Sequence, residues 1–370
     1  MPRTDVTVSG ISSGGAMAVQ LHMAFSNDIS GCGILAGPPY YCAGNFMAAT
    51  ACMSGPLNFV TAPGILLKLK WYGSMGSIDN VSNIHGDPVY IFTGKYDLVA
   101  RPSTVKINED VYSELGANIK TNYDMAATHG FPTDNFGKSC STLNLENYIN
   151  NCDFNMAYDI LNHLYGGNLI RPKSGTQVPL TGQMAVFDQK AFMNPPSSLS
   201  ESHTPSSSLL KWISESMSLY TTDDWDWPTS GLVNWDIPGA TTVHTRQITS
   251  RALSHGFDQE GFIYFPSTCA QGQKCSIHVA LHGCQQGKHY VDDVFATKAG
   301  YLEVAELNNL IVVFPQVAPT MFLPTNPMGC WDWWGYSSLS YATKTAPQMA
   351  GVKKMIDTVR LINQAMVASV

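Results

Sequence analysis

Gly10-Ile11-Ser12-Ser13-Gly14 is the only G-x-S-x-G pentapeptide in the chain. A serine hydroxyl is a weak nucleophile until a histidine takes its proton and a carboxylate orients that histidine. Both partners are available. Asp97 lies in Thr93-Gly94-Lys95-Tyr96-Asp97 and His129 in Thr128-His129-Gly130-Phe131-Pro132. The chemistry open to the set is acyl transfer, with Ser12 as nucleophile, His129 as general base and Asp97 as orienting acid. The tetrahedral oxyanion of such a reaction needs N–H donors. One is expected from Ser13, the residue after the nucleophile, and the second from a His-Gly segment behind another strand. Val279-Ala280-Leu281-His282-Gly283-Cys284 is such a segment, and it makes the Cys284 N–H the second donor. His278 and His282 could also suggest a metal pair. On a strand they would stand about 13 Å apart, too far for one ion, so no metal is expected.

The pentapeptide alone is a weak signal, and its setting gives it weight. Asp5 to Ser9 alternates like a strand, and Ala16 to Ser26 reads as a helix. Ser12 therefore falls on a sharp turn that exposes its Oγ at the carboxyl edge of a sheet. Strand, loop and helix recur at Val89 to Thr93, Asp97 and Ser103 to Leu115. They recur again at Asn118 to Tyr123, His129 and about Phe154 to Leu164. Ser276 to Leu281 and Leu310 to Phe314 read as strands flanking a helical stretch, Val294 to Asn308. Gln348 to Val367 carries Met349, Val352, Met355, Ile356, Val359, Ile362 and Met366 at helical spacing, and so packs by one face. Strands alternating with helices predict an α/β fold with a doubly wound, mostly parallel sheet. In such sheets, sites gather at the carboxyl ends of strands.

The order Ser, Asp, His is that of α/β-hydrolases, but the His-Gly segment should precede the nucleophile and here follows the whole triad. A circular permutation repairs this. If the helix Gln348 to Val367 runs on to the strand before Ser12, the hydrolase order is restored, and close termini make such a rearrangement easy.

Composition narrows the class. Only 13% of the 370 residues are charged and 44% are hydrophobic, which excludes a disordered chain. A net charge of −7 without a Lys/Arg run gives no footprint for nucleic acid. The apolar runs fall far short of the roughly 18 residues of a membrane helix. Nothing in the sequence implies a cofactor. The 9 cysteines include three near pairs, Cys42 with Cys52, Cys140 with Cys152 and Cys269 with Cys275, in loop-like surroundings and without zinc-site spacing. Short loop-closing disulfides in an oxidising compartment are the expectation, with Cys32, in an apolar run, the unpaired residue. No basic-then-apolar leader precedes Val6, so the expected extracellular location rests on these cysteines. Asn80-Val81-Ser82 is a glycosylation sequon compatible with it. From about Asn194 to Leu253 the chain turns rich in Pro, Ser and Trp, including Trp225, Trp227 and Trp235. This reads as an insertion or lid rather than a sheet element.

Gly10-Ile11-Ser12-Ser13-Gly14-Gly15-Ala16-Met17, Ala36-Gly37-Pro38-Pro39-Tyr40, His129-Gly130-Phe131-Pro132-Thr133-Asp134, Val279 to Cys284 and Gly329-Cys330-Trp331-Asp332-Trp333 together resemble the fungal type of polyhydroxybutyrate (PHB) depolymerase. The resemblance covers most of the chain. It implies a secreted, circularly permuted α/β-hydrolase forming a single domain over residues 1–370. It also implies Ser12, Asp97 and His129 as triad and the N–H groups of Ser13 and Cys284 as oxyanion hole. The implied disulfides are Cys42–Cys52, Cys140–Cys152, Cys269–Cys275 and Cys284–Cys330, with Cys32 left over. The expected partner is a neutral polyester or its oligomers. Trp331, Trp333 and Trp334 are expected as walls of the substrate site, unless they are ordinary core aromatics. The longer, Trp-rich 194–253 stretch departs from the family pattern. Two other readings of the same residues are a carbohydrate esterase acting on acetyl or feruloyl groups, and a catalytically silent hydrolase-like binding protein.

Overall fold

The computed structural model describes residues 6–55, 60–173, 178–195, 207–219, 253–322 and 325–368. In chain order the strands are β1 (Val6–Ile11), β2 (Cys32–Leu35), β3 (Pro88–Phe92), β4 (Asn118–Asn122), β5 (Phe131–Thr133), β6 (Lys138–Ser139), β7 (Ile149–Asn151), β8 (Gln183–Asp188), β9 (Met217–Leu219), β10 (Glu260–Phe265), β11 (Ser276–Leu281) and β12 (Leu310–Phe314). Nine form one sheet in the order β4-β3-β2-β1-β11-β12-β10-β8-β9, and β5, β7 and β6 form a small parallel sheet. From β4 to β12 every pairing in the large sheet is parallel, and β10, β8 and β9 continue it in antiparallel fashion.

The fold is thus α/β with a mostly parallel sheet, as the alternation of patterns predicts. Its strand order also carries the permutation. Read from β8 through β10, β11 and β12, along the helix Pro347–Ala368 and on to β1, the strands cross the sheet in sequence except for the exchange of β11 and β12. The strand before Ser12 therefore lies directly beside the strand before Cys284, with Gly10 opposite Leu281.

Both faces of the sheet are covered, as parallel strands require. Val8, Ile34, Ile91, Val279 and Val313 pack with Met17, Leu21, Val352 and Val359 on one face. Leu35, Phe92, Ala280, Val312 and Phe314 pack with Ile160, Leu161 and Leu302 on the other. Two helices read as continuous are broken. Val294–Lys298 and Tyr301–Asn308 are separated at Gly300, whose φ of 84° no continuing helix tolerates. Pro102–Val105 and Ile107–Glu114 meet at Lys106. Residues 194–195 and 253 of the 194–253 stretch are described, and so are residues 207–219. The latter form a helix, Ser207–Ser216, and the edge strand β9. β9 adds three residues of this stretch to the sheet edge, which corrects the expectation of an insertion or lid without a sheet element. Trp225, Trp227 and Trp235 lie outside the described residues.

One buried polar network ties β1 to β11. His278 shares hydrogen bonds of 2.7 Å with the hydroxyls of Thr7 and Ser9, and Ser9 shares another of 2.7 Å with the Tyr301 hydroxyl. Burial holds His278 neutral, its pKa pushed down to about 3, and likewise lowers His282 to about 4. Both values lie below the ordinary 6.5, so the unfolded chain binds more protons than the folded one between about pH 6.5 and pH 4. Stability is therefore lost as pH falls through that window. At about 1.4 kcal/mol per unit of depression, the two rings cost several kcal/mol by its lower end. The urea midpoint should fall steeply from pH 6.5 to 4.5, and less steeply in a His278→Gln variant. A midpoint constant over that range would contradict the assignment.

Candidate active site

The turn from β1 into the first helix, α1 (Ser13–Ala24), pivots on Ser12, whose backbone sits at φ 56° and ψ −121°. Such a conformation costs a non-glycine residue on the order of 1–3 kcal/mol and persists only where its surroundings enforce it. They do so here by contact. A Cβ on Gly10 would lie 2.4 Å from the Gly14 backbone, and one on Gly14 would lie 2.3 Å from the Leu281 carbonyl oxygen. Only glycine allows strand, helix and the end of β11 to meet this closely. Ser12 is left partly exposed between buried neighbours. Ser13 opens α1, so its N–H has no acceptor within the helix.

Asp97 follows β3, and His129 lies between β4 and β5. The Asp97 carboxylate is buried and divides its oxygens between two tasks. Oδ1 accepts from the N–H groups of Val99 at 2.8 Å and Ala100 at 2.9 Å, while Oδ2 bonds His129 Nδ1 at 2.7 Å. A ring that donates through Nδ1 keeps Nε2 as its acceptor. The Tyr148 and His129 rings meet edge to face, with centroids 6.2 Å apart at 81°.

The His282–Cys284 segment leaves β11 alongside this pair. A Cβ on Gly283 would touch the Ser12 Cβ at 3.4 Å, so the segment passes directly beside the serine. His282 fixes its course by donating from Nδ1 to the Gly283 carbonyl at 2.7 Å and accepting at Nε2 from the Val317 N–H at 3.2 Å. The Cys284–Cys330 disulfide and a bond of 2.8 Å from Gln285 N–H to the Met328 carbonyl attach it to the Trp331 loop. Gathered at one sheet edge are a strained serine, a carboxylate-held imidazole and a rigid backbone turn.

Two curated relatives align along nearly the full chain. The poly(3-hydroxybutyrate) depolymerase of Delftia acidovorans is 32% identical over 364 residues, 96% of this chain and 60% of the relative. The chain thus spans well under two thirds of that relative's length. The polyhydroxybutyrate depolymerase of Talaromyces funiculosus is 30% identical over 367 residues, 94% of this chain and 86% of the relative. The chain belongs to the PHB depolymerase family. A crystal structure of the PHB depolymerase from Penicillium funiculosum superposes with a TM-score of 0.72 at 27% identity, covering 99% of this chain and 96% of that one. A PHB depolymerase variant complexed with an R3HB trimer gives 0.71 at 27% identity, with the same coverage. No family model matches the chain.

Each cysteine pair implied by the PHB depolymerase resemblance is bonded: Cys42–Cys52, Cys140–Cys152, Cys269–Cys275 and Cys284–Cys330. Cys32 is free and buried in β2. Such bridges typically contribute 2–4 kcal/mol each, so reductant should lower the melting temperature markedly. Non-reducing mass spectrometry should find one free thiol; nine would contradict the pairing. Among the described residues no helix is long and apolar enough to cross a membrane.

Trp331, Trp333 and Trp334 are all buried. Trp331 has no exposed surface and packs against Phe257 and His282. Its backbone N–H reaches Ser13 Oγ at 3.3 Å, so it underpins the elbow. Trp333 and Trp334 stack edge to face and are only 4% and 7% exposed. Residue type announces bulk and does not tell on which side of a wall the bulk lies. Tyr148 and Gln286 escaped sequence reasoning altogether, since nothing in their spacing marks them.

Proposed function

We propose that the chain is a secreted serine esterase that hydrolyses poly(3-hydroxybutyrate) or its oligomers through an acyl-enzyme on Ser12, its whole length serving one catalytic domain. The observation that carries this reading is the buried Asp97–His129 bond of 2.7 Å, set at the same sheet edge as the strained Ser12 elbow. His129 Nε2 takes the Ser12 proton as Oγ attacks the ester carbonyl carbon. The resulting oxyanion is held by the N–H groups of Ser13 and Cys284, neither of which donates a hydrogen bond elsewhere among the described residues. On collapse the C–O bond to the leaving hydroxyl breaks, and His129 returns the proton to that oxygen. A water activated in the same way then releases the acyl group as a carboxylic acid.

The neutral repeat of the polyester suits the surroundings. Leu98 and Val99, directly after Asp97, are exposed, and so is Met328, just before the Cys330 bridge. Uncharged apolar surface of this kind favours adsorption over ionic pairing. Four disulfides and the depolymerase relatives support an extracellular location.

The test is product analysis. Incubated with short 3-hydroxybutyrate oligomers, the protein should release monomer and dimer acids, and a fluorophosphonate probe should label Ser12. Turnover confined to acetylated or feruloylated sugars would replace the substrate assignment. Absence of labelling would point to a silent binding protein.

A further inference from the structure

We propose that Gln286 is a positioning residue that couples the oxyanion loop to the loop carrying the base. The inference rests on the ester-hydrolase reading and adds a residue to that site. The Gln286 side chain is buried, and each end of its amide is engaged. Oε1 accepts from the Gly283 N–H at 2.8 Å, and Nε2 donates to the Asn147 carbonyl at 2.9 Å and to the Tyr148 carbonyl at 3.4 Å. One end therefore fixes the peptide just before the Cys284 donor. The other holds the turn whose Tyr148 ring stands against His129 and whose Tyr148 carbonyl accepts from the Phe131 N–H at 2.7 Å.

Its other attachments tie the oxyanion loop elsewhere. Val317 holds it from beyond β12, and Cys330 and Met328 hold it from the Trp331 loop. Toward His129 the described residues provide Gln286 and one further contact, Tyr148 OH donating to Gln285 Oε1 at 3.1 Å. Tyr148 and Gln285 both take left-handed backbone angles, φ 53° and 56°, so both ends of that contact are held in costly conformations. The separation between the general base and the oxyanion donors is set across this bridge. Oxyanion donors act only when aimed at the position the charged oxygen will occupy. Loss of the bridge should therefore weaken transition-state binding and leave ground-state binding alone.

Gln286→Leu is expected to lower kcat on a soluble 3-hydroxybutyrate trimer about 10- to 100-fold, short of the 10²- to 10³-fold loss on deleting a donor outright. KM should stay within about twofold, and affinity for a trifluoromethyl ketone, whose adduct carries the oxyanion, should fall by the same factor as kcat/KM. Gln286→Glu keeps the volume should the leucine variant not fold. Protonated, its carboxyl can both accept from Gly283 and donate to Asn147; ionised, it can only accept. Its activity relative to wild type should rise as pH falls from 8 to 5. The nearby titratable groups, His129, Glu146, Tyr148, His282 and Lys288, are common to both proteins, so a pH dependence of that ratio originates in the introduced carboxyl. A pH-independent ratio, or a folded Gln286→Leu protein with unchanged kcat and inhibitor affinity, would overturn the inference. Failure of the hydrolase reading would look different, as a wild type that does not turn over the trimer.

Discussion

Replacing Ser12 with alanine is expected to reduce kcat on 3-hydroxybutyrate oligomers by roughly 10⁴- to 10⁶-fold, the scale on which a serine triad fails when its nucleophile is removed. KM should change little, since the hydroxyl contributes to bond making more than to substrate contact. No neighbouring hydroxyl can take over. Ser13 is buried, and its Oγ already accepts from the Trp331 N–H. The other serine–histidine contact, Ser9 with His278, lies wholly inside the sheet and is shared with Thr7 and Tyr301. Alanine keeps the same Cβ at the strained φ, so the variant should fold and melt like the wild type. Steady-state kinetics with a trimer, alongside fluorophosphonate labelling, check this. A loss of less than about 100-fold, or labelling that persists, would remove Ser12 from the role.

How far this site is legible in the sequence follows from where each residue sits. Ser12, Asp97 and His129 each come soon after a strand, and open α/β sheets gather reacting groups at strand ends. Their types, order and distance from those strands mark them as candidates in the sequence itself. Gln286 has no such marker. Its partner Asn147 is 139 positions away and offers only a backbone carbonyl, which any residue would supply. How deeply Trp331, Trp333 and Trp334 sit is equally unmarked, because burial is a property of the packed fold.

The fold divides in the same way. β3, β11 and β12 are apolar runs buried on both faces, and they are found within a residue of their observed limits. β2, four residues long, reads only as an apolar run around Cys32. The antiparallel edge of β10, β8 and β9 is invisible in advance, because strand direction is set by the connections and leaves no trace in side-chain alternation. The permutation is legible in the sequence, since a triad in hydrolase order with its His-Gly segment displaced leaves few other ways to close the sheet.

Asp97→Asn should be nearly as damaging as loss of the nucleophile, with kcat reduced on the order of 10⁴-fold, the drop that accompanies a wrong histidine tautomer in serine hydrolases. The reason lies in the two sides of the carboxylate. Oδ1 accepts from the Val99 and Ala100 N–H groups, so that side must remain an acceptor and an asparagine has to place its carbonyl there. Its NH₂ group then faces His129 Nδ1, which can no longer donate and must accept instead. The ring proton moves to Nε2, the atom that has to receive the Ser12 proton, and the base is blocked although every heavy atom is in place. The alternative flip would set NH₂ against two backbone donors and leave the buried Ala100 N–H unsatisfied, a cost of about 1–3 kcal/mol. Wild-type and variant proteins should thus have similar melting temperatures and KM but widely separated kcat. Asp97→Ala, which imposes no tautomer, should retain more activity than the asparagine variant if orientation by the carboxylate is the smaller part of its role. Equal or greater damage from alanine would make orientation the larger part. An asparagine variant within tenfold of wild type would detach Asp97 from the mechanism altogether.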